Sequence, residues 1–323
     1  MRRKAPAMVN ANRPQPGNLD TAASVSMYND WFLSKAPQTF RQERDKCIND
    51  IGVFLKDTDF CRNVTVKVLQ KSPKYVTLLR MMCAPPIARD RLAGLGGIKS
   101  SVLKGIESGA SPKDAPSATY SAILTVFRKL KDECLMSWLG RKQLPTDNEL
   151  AIFQAVIADR LTGSTSAPIL RNAQERRQLE VIEKYLLNKG YSCITDPHIG
   201  FQDMPPGSFA FHKGIPMFKN STDDSKGYVN TTADVVIQRQ KAKPGEFPLV
   251  VECKSAGDYT NTNKRRKEES DKVRKLQATY GPNVQMCLFL CGYFNAQYLG
   301  YEAANKIDWV WEHRIDDFKL FGV

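Results

Sequence analysis

Apolar residues recur three or four positions apart through much of the first half of the chain, which is the spacing of an amphipathic helix. The segments with this spacing are 28–33, 40–55, 64–70, 75–83, 87–95 and 118–139. Pro85 and Pro86 interrupt the pattern, because proline lacks the N–H that an internal helical residue donates. Thr146 stands three residues before Glu149, the spacing of a capping box that would begin one more helix. The pattern therefore predicts a large helical subdomain over residues 23–162.

Two stretches without periodicity bound this helical subdomain. Residues 1–22 carry proline, asparagine, glycine and basic side chains, a composition that predicts a flexible basic arm. The run Gly-Ser-Thr-Ser at 163–166, followed by Pro168, predicts a connection to the last part of the chain. We therefore divide the chain into the arm, the helical subdomain and a third region over 163–323.

In the third region, short apolar runs alternate with glycine and proline, which is typical of strands joined by turns. Predicted helices lie at 171–189, 263–279 and 296–306, and predicted strands at 191–194, 208–211, 231–238, 247–254, 284–291 and 309–311. Apart from its one short strand, the segment 195–230 is expected to be loops and turns. This order predicts an α/β (α+β) fold, in which a mixed β-sheet core is flanked by helices and follows the helical subdomain.

The composition bears on partners more than on fold. Hydrophobic residues make up 42% of the 323 residues and charged residues 25%, as in ordinary globular proteins. The formal net charge is +13 and the isoelectric point about 9.3, which favours a polyanionic partner or a membrane surface. No apolar stretch approaches the length of a transmembrane helix. The basic N-terminus has no apolar segment after it, so it is not expected to be a secretory signal.

Eight cysteines are scattered along the chain, and no two have the CxxC spacing. With only three histidines, at 198, 212 and 313, this argues against a zinc site and favours reduced thiols in a cytoplasmic protein. Cys287 and Cys291 fall in one predicted strand and are interpreted as core residues. His198 and His212 lie in the turn-rich segment and are interpreted as local hydrogen-bonding residues rather than catalysts.

One pair of predicted strands combines residues that suit metal-assisted chemistry. Asp234 begins the apolar run of the first strand, and Glu252-Cys253-Lys254 ends the second after seventeen intervening residues. Side chains alternate across a strand, so Glu252 and Lys254 share one face and Cys253 points to the other. If the two strands pair antiparallel, Asp234 lies beside Glu252 and Lys254. Two carboxylates offer the oxygen ligands that Mg²⁺ prefers, and the amine would lie near an attacking water.

The Asp…Glu-x-Lys pattern resembles that of the PD-(D/E)xK nuclease superfamily, with Ala233 in place of the motif's proline. The ordinary alternative is a soluble α/β protein in which charged residues simply end two strands. Three longer stretches resemble the XamI-type restriction endonucleases: MMCAPPIARDRLAGLGG at 81–97, RNAQERRQLEVIEKYLLNKGY at 171–191 and VVECKSAGDYTNTNKRRKEE at 250–269. The resemblance covers most of residues 75–310.

The resemblance implies a restriction-endonuclease-like fold and a type II enzyme. Such an enzyme is a homodimer that cuts both strands of double-stranded DNA at a short palindrome with Mg²⁺ and leaves 5′-phosphate ends. Carried over to this sequence, Asp234 and Glu252 would bind Mg²⁺, with the backbone carbonyl of Cys253 as a third ligand. Lys254 would orient or help deprotonate the attacking water and stabilise charge on the phosphate.

The same resemblance implies one more catalytic acid. In this superfamily a helix before the first strand often supplies an additional carboxylate to the metal site. Glu175 and Glu180 both lie on the helix predicted at 171–189, and Glu175 is the residue that we assign to the site. A solvated helix face accounts equally well for either residue, so the choice between them stays open at this point.

Candidate DNA contacts lie in two places. The helix predicted after the motif opens with five polar or basic residues, which are Asn263, Lys264, Arg265, Arg266 and Lys267. A basic helix N-terminus favours phosphate oxygens, and arginine there can read a guanine edge. The alternative is a solvated helix, since acidic residues at 268, 269 and 271 partly neutralise the run. In the helical subdomain, Arg89 and Arg91 are candidates for DNA contact, and the block itself for DNA grip or dimerisation.

Two other functions fit the same residues. A structure-specific DNA repair or junction nuclease would share the catalytic core but would not produce a unique pattern of fragments. A non-catalytic DNA-binding protein would share the fold, although the presence of Asp234, Glu252 and Lys254 together argues against it. Metal-dependent nicking of plasmid DNA would distinguish either nuclease from the non-catalytic DNA-binding protein. An RNA-binding protein ranks last, because the sequence lacks an aromatic-rich RNA-binding signature.

Overall fold

The computed structural model describes residues 9–10, 18–109, 116–220, 223–260 and 262–323. The chain forms two compact units, one of Ala36–Leu170 and the other of Met1–Lys35 together with Arg171–Val323. The arm predicted at 1–22 lies largely outside the described residues. Within its predicted range, Asn10 donates through its backbone N–H to Asp308 Oδ1 at 2.8 Å.

Apart from one isolated β-bridge, the regular structure described in the unit of residues 36–170 is helical, and its first and last helices extend beyond those residues. Their bounds are α1 at Asn18–Asp57, α2 at Val66–Lys71, α3 at Tyr75–Met81, α4 at Arg89–Gly96, α5 at Ser100–Glu107, α6 at Ser117–Leu130 and α7 at Asp147–Asn188, with a 3₁₀-helix at Ser137–Gly140. Trp138 is fully buried in the core of this unit and meets Phe153 edge-on, with ring centroids 5.5 Å apart. The large N-terminal helical region predicted from the apolar spacing is therefore confirmed.

Two details of this region differ from the sequence expectation. The helix predicted at 118–139 ends at Leu130, because Lys131 turns to an extended conformation and forms a β-bridge with Cys83. The connection predicted at 163–168 is instead the middle of the continuous helix α7. The hydroxyls of Ser164 and Thr165 donate to the carbonyl of Leu161 at 2.7 and 3.0 Å, so these residues bond within the helix rather than opening a turn.

A six-stranded mixed sheet forms the centre of the other unit. Its strands are β1 at Ser192–Cys193, β2 at Ser208–Asn220, β3 at Asp223–Gln238, β4 at Leu249–Ala256, β5 at Met286–Gly292 and β6 at Asp308–Trp311, in the order β1-β2-β3-β4-β5-β6. The pairs β2–β3 and β3–β4 are antiparallel, and the other three pairs are parallel. The mixed sheet predicted from the order of elements is confirmed.

Helices cover both faces of this sheet. The second half of α7 and a C-terminal 3₁₀-helix at Glu312–Phe321 pack on one face, and α8 at Thr262–Tyr280 and α9 at Ala296–Ala304 pack on the other. Along β4, Leu249 and Val251 belong to the first apolar layer and Val250 to the second. Burial on both sides explains why this strand reads as an unbroken apolar run in the sequence.

The turn-rich segment predicted at 195–230 contains a long hairpin made of β2 and β3, so that part of the expectation was wrong. Pro216 lies within β2 opposite Asn230. Only Ser208 and Phe209 of β2 pair with β1, so no described strand pairs with the outer edge of β2 at Pro216, and the missing N–H costs no bond between strands. Among the described residues, no helix is both long enough and apolar enough to cross a membrane.

Candidate active site

The register of the antiparallel pair β3–β4 brings the motif residues together. Val235 pairs with Val251, so the next positions along the two strands are Asp234 and Glu252. The backbone N–H of Cys253 donates to Asp234 Oδ2 at 2.8 Å, which fixes one oxygen of that carboxylate. Among the described residues nothing donates to Oδ1, which leaves that oxygen available to a ligand.

Glu252 is almost fully buried and each of its carboxylate oxygens meets a lysine. Lys254 Nζ lies 3.2 Å from Oε2, and Lys272 of α8 donates to Oε1. Lys272 also donates to the backbone carbonyl of Thr232 on β3 at 2.7 Å. Each carboxylate oxygen of Glu252 therefore already has a positively charged partner.

A second acid, Glu269 on α8, completes this network. Glu269 is buried, and its Oε2 accepts a hydrogen bond of 2.7 Å from the hydroxyl of Tyr298, while its Oε1 lies 4.0 Å from Lys254 Nζ. Two lysines and two glutamates thus form a buried group whose formal charges cancel. Such charges are tolerated in an apolar layer only when each has a partner of opposite sign.

The pKa values reflect this distribution of charge. Burial lowers the pKa of Lys254, but the carboxylates of Glu252, Glu269 and Asp234 raise it by more, and the net shift is upward. Burial raises the pKa of Asp234, and the negative charge of Glu252 raises it further, with Lys254 and the N–H of Cys253 offsetting only part of the effect. A cation added near Asp234 would stabilise its charged form and lower its pKa.

Glu175 and His212 approach Asp234 from two other elements. One ligand atom from each of the three side chains lies within 4.8 Å of the other two. Glu175 projects from α7 and is half-buried, whereas Glu180 of the same helix is exposed and does not belong to the cluster. Of the two acids left open by the sequence, the structure brings Glu175 to the site.

The donor set of Glu175, His212 and Asp234 has the residue types that could hold a divalent cation. Asp234 and Glu175 offer carboxylate oxygens, which hard cations prefer, and His212 adds an imidazole nitrogen. Sequence reasoning did not single out Lys272 or Glu269, and it interpreted His212 as a local hydrogen-bonding residue. A signal for the first two was present, since residues three apart on a helix share a face.

The candidate DNA contacts are placed as follows. Asn263, Lys264, Arg265 and Arg266 lie in the first turn of α8, and their side chains are outside the part of the chain that the structure describes, while Lys267 is exposed. Arg91 on α4 is exposed. Arg89 donates from Nε to the buried carboxylate of Glu107 at 2.7 Å, and Arg80 donates to the same carboxylate. The guanidinium of Arg89 is therefore partly engaged within the helical unit.

Comparisons with known proteins identify relatives of this chain. The family model of the XamI restriction endonuclease matches residues 59–311. The type II restriction enzyme SalI of Streptomyces albus G is 42% identical over 322 residues, which cover 98% of this chain and 100% of that protein. No solved structure matches the chain.

Proposed function

The chain belongs to the XamI restriction endonuclease family, and on that premise we propose that it is a type II enzyme making Mg²⁺-dependent double-strand cuts in DNA. The target is a short palindrome, and the products carry 5′-phosphate ends. The relative SalI, a type II restriction enzyme, supports the type II assignment. A restriction enzyme acts together with a modification activity that protects the host's own DNA, so this chain is expected to be one half of such a pair.

The convergence of Asp234, Glu252 and Lys254 at adjacent positions of β3 and β4 carries the proposal. Two carboxylates and one ammonium on neighbouring strands are groups that can assist hydrolysis of a phosphodiester, because the reaction builds negative charge on the phosphate. All three side chains are at least partly buried, which strengthens their electrostatic interaction with a bound phosphate.

Each residue has a distinct role in this proposal. Asp234 and Glu252 hold Mg²⁺, with the carbonyl of Cys253 as a further ligand. When bound, the ion supplies Lewis acidity and offsets negative charge on the phosphate. Lys254 orients the attacking water and donates to the phosphate oxygens, and the glutamates around it hold its ammonium in place.

Glu175 completes the set as the acid supplied by the helix before the sheet. Replacing it with glutamine should lower cleavage by about a hundredfold or more, as expected for loss of a group that acts on the transition state. Glu180→Gln is the matched control, since this residue lies on the same helix, has the same side chain and is exposed. Equal losses in both variants would contradict the role of Glu175.

The test of the whole proposal uses purified protein and unmodified plasmid or phage DNA, with Mg²⁺ or with EDTA, followed by sequencing of the fragment ends. Discrete fragments with 5′-phosphate ends, formed only with Mg²⁺, are the expected result. Asp234→Asn, Glu252→Gln and Lys254→Met should each abolish cleavage while the circular dichroism spectrum stays that of the native chain.

Other outcomes would indicate a different function. Cleavage that follows branches or flaps rather than a sequence would indicate a repair or junction nuclease. Retention of DNA binding without cleavage under any divalent cation would indicate a non-catalytic DNA-binding protein. Full activity in one of the three variants would remove that residue from the site.

A further inference from the structure

The hairpin of β2 and β3 continues past β4 as a two-stranded ribbon. Strand β3 spans Asp223–Gln238, but only its residues 235–237 pair with β4. The positions before Asp234 pair with β2 alone, from Ala233 opposite Lys213 to Tyr228 opposite Phe218. The ribbon (residues 213–218 and 228–233) therefore begins directly beside the candidate active site.

One face of the ribbon is packed and the other is open. Ile215, Met217 and Ala233 belong to the apolar layer under α8. Because side chains alternate along a strand, the positions between them point away from that layer. The residues of this open face are Gly214, Pro216, Phe218, Tyr228, Asn230 and Thr232. Tyr228 is 60% exposed, and the face as a whole offers hydroxyl, amide and aromatic groups without a charge.

The amide of Asn230 has a defined place on this face. A Cβ added at Gly214 would lie 2.6 Å from Asn230 Nδ2 and 2.8 Å from Oδ1, so the amide lies directly over the glycine. Asn230 is exposed, and no residue that the structure describes forms a hydrogen bond with its side chain. A carboxamide offers one donor and one acceptor together, which is the pair of groups that reads the N7 and N6 edge of adenine.

The ribbon is tied to the candidate active site through its backbone. Lys272 donates to the carbonyl of Thr232 at 2.7 Å and also to the carboxylate of Glu252. A strand rises about 3.3 Å per residue, so Asn230 lies about 13 Å along β3 from Asp234. Base pairs are spaced about 3.4 Å apart, so this distance spans about four base pairs of a duplex cut at Asp234.

Double-stranded DNA is the occupant that the position and chemistry of the open face favour. A duplex with one phosphate at Asp234 continues past that point, where the ribbon begins. The major groove is wide enough to admit a two-stranded β-ribbon. Surfaces that hold phosphates are basic, whereas base edges are read by hydrogen-bonding and apolar side chains of the kind found on this face.

We propose that the open face of the ribbon enters the major groove of the target and that Asn230 reads an adenine within about four base pairs of the cut. The inference rests on the proposed nuclease function and deepens it, because it assigns a residue that determines the target sequence. Gly214 is a positioning residue, since its lack of a side chain leaves room for the amide of Asn230.

The test begins with the target of the native chain, read from the ends of fragments of plasmid or phage DNA. Duplexes that carry each single base-pair substitution of this target are then mixed, cleaved with Mg²⁺ and sequenced. Asn230→Ala should lose about 5- to 150-fold of discrimination at one A·T pair, as expected for one bidentate contact. Gly214→Ala should lose discrimination at the same pair, because its methyl group displaces the amide. Val229→Ala is the matched control and should keep the native specificity, since Val229 is exposed on the same strand but belongs to the other face.

A change in the DNA tests the same contact with the native chain. 7-Deazaadenine at this pair lacks the N7 acceptor, so it should slow cleavage by the native chain and leave cleavage by Asn230→Ala unchanged. Full discrimination in Asn230→Ala, or an equal loss at every position, would overturn the inference and leave the proposed function standing. A target without an A·T pair within about four base pairs of the cut would do the same.

Two further outcomes have a different meaning. Sedimentation of Asn230→Ala as a smaller species than the native chain would assign the open face to contact between two copies of the chain, which would also overturn the inference. Absence of Mg²⁺-dependent cleavage by the native chain would refute the proposed function itself.

Discussion

Lys272 connects three elements through a single ammonium group. It extends from α8 to the carboxylate of Glu252 on β4 and to the carbonyl of Thr232 on β3. Its side chain is only 13% exposed, so its charge is partly removed from water and depends on these two partners. The residue therefore stabilises the active-site acid in its free state and also anchors α8 to the sheet.

Replacement of Lys272 by methionine should lower the free energy of unfolding by about 1–3 kcal/mol, because Glu252 Oε1 loses its donor inside the protein. Urea titration followed by circular dichroism measures the change. Lys275→Met is the matched control on the same helix, since Lys275 pairs with the exposed Asp271 and its loss should cost about 0.3–0.5 kcal/mol. Equal costs for the two variants would show that the contact with Glu252 contributes nothing beyond a surface ion pair.

A capping box at the start of α7 makes a pH-dependent contribution to stability. Glu149 N donates to Thr146 Oγ1 at 3.3 Å, and Thr146 N donates to Glu149 Oε2 at 2.9 Å, as predicted from the spacing. The Arg141 guanidinium, together with the Thr146 N–H, lowers the pKa of Glu149 to about 2. Because the folded pKa lies below the ordinary value of 4.5, the contribution is present above pH 4.5 and is lost as pH falls toward 2.

The native chain should therefore be more stable than Glu149→Gln above pH 4.5, and the difference should shrink steadily between pH 4.5 and 2. Urea unfolding of both proteins across this range gives the measurement. Arg141→Met should shift the acid-induced loss upward in pH, because the largest cause of the lowered pKa is removed. A difference between native and Glu149→Gln that does not change with pH would contradict this account.

Local patterns were enough to predict some of the side chains that meet at the candidate active site and not others. Asp234, Glu252 and Lys254 follow from strand alternation and from one antiparallel pairing, both of which act over short stretches of sequence. The position of His212 near Asp234 depends on a kink in β2, and the types of the neighbouring residues do not predict that kink. The approach of Lys272 depends on how α8 packs over the sheet, a long-range contact that the pattern of a single helix does not contain.

At the scale of elements, α8 joins the sheet to the predicted DNA contacts. Val273 and Leu276 on its inner face belong to the apolar layer, and Glu269 and Lys272 extend that face into the active site. Its first turn carries the basic residues at 264–267. A helix N-terminus carries a partial positive charge, so basic side chains there would add to an existing attraction for phosphate.

Replacing both Arg265 and Arg266 with alanine should weaken DNA binding and reduce the steepness with which salt weakens it. If each arginine neutralises one phosphate, the slope of log affinity against log salt should fall by about 1.8. Fluorescence anisotropy with a labelled duplex, in Ca²⁺ to prevent cleavage, measures both quantities. The control replaces Lys241 and Lys243, two exposed lysines in the turn between β3 and β4, and so removes the same charge from another place. An equal effect in the control would indicate general charge attraction rather than contact at α8.

The elements themselves were predictable where apolar spacing is unbroken. Strands β4 and β5 and helices α8 and α9 begin and end close to the predicted residues. The two strands read as apolar runs, and a glycine stands at or directly after the end of β4, β5 and α8. The hairpin of β2 and β3 was missed because Pro216 and several glycines resemble turn signals. Pro216 is accepted because no described strand pairs with that side of β2, and this depends on strand order rather than on local sequence.

At the scale of the whole chain, the charge of +13 and the single catalytic set bear on how DNA is cut. The excess positive charge favours association with DNA at low salt and makes all affinities salt-dependent. In the proposed function, each chain brings one set of Asp234, Glu252 and Lys254 to the DNA. If the target is a palindrome, two chains related by its twofold symmetry would place one such set at each strand.

Dimers that combine one native chain with one Asp234→Asn chain should nick supercoiled plasmid and accumulate open circles. Native dimers should pass directly to linear DNA, because both strands meet an active site in one encounter. Differently tagged chains, co-expressed and purified over both tags, supply the mixed species, and sedimentation analysis verifies its size. Doubly tagged native dimers are the control for the tags. Linear product formed by mixed dimers at the native rate would mean that one chain cuts both strands in succession. The twofold symmetry of the target would then not explain how the second strand is cut.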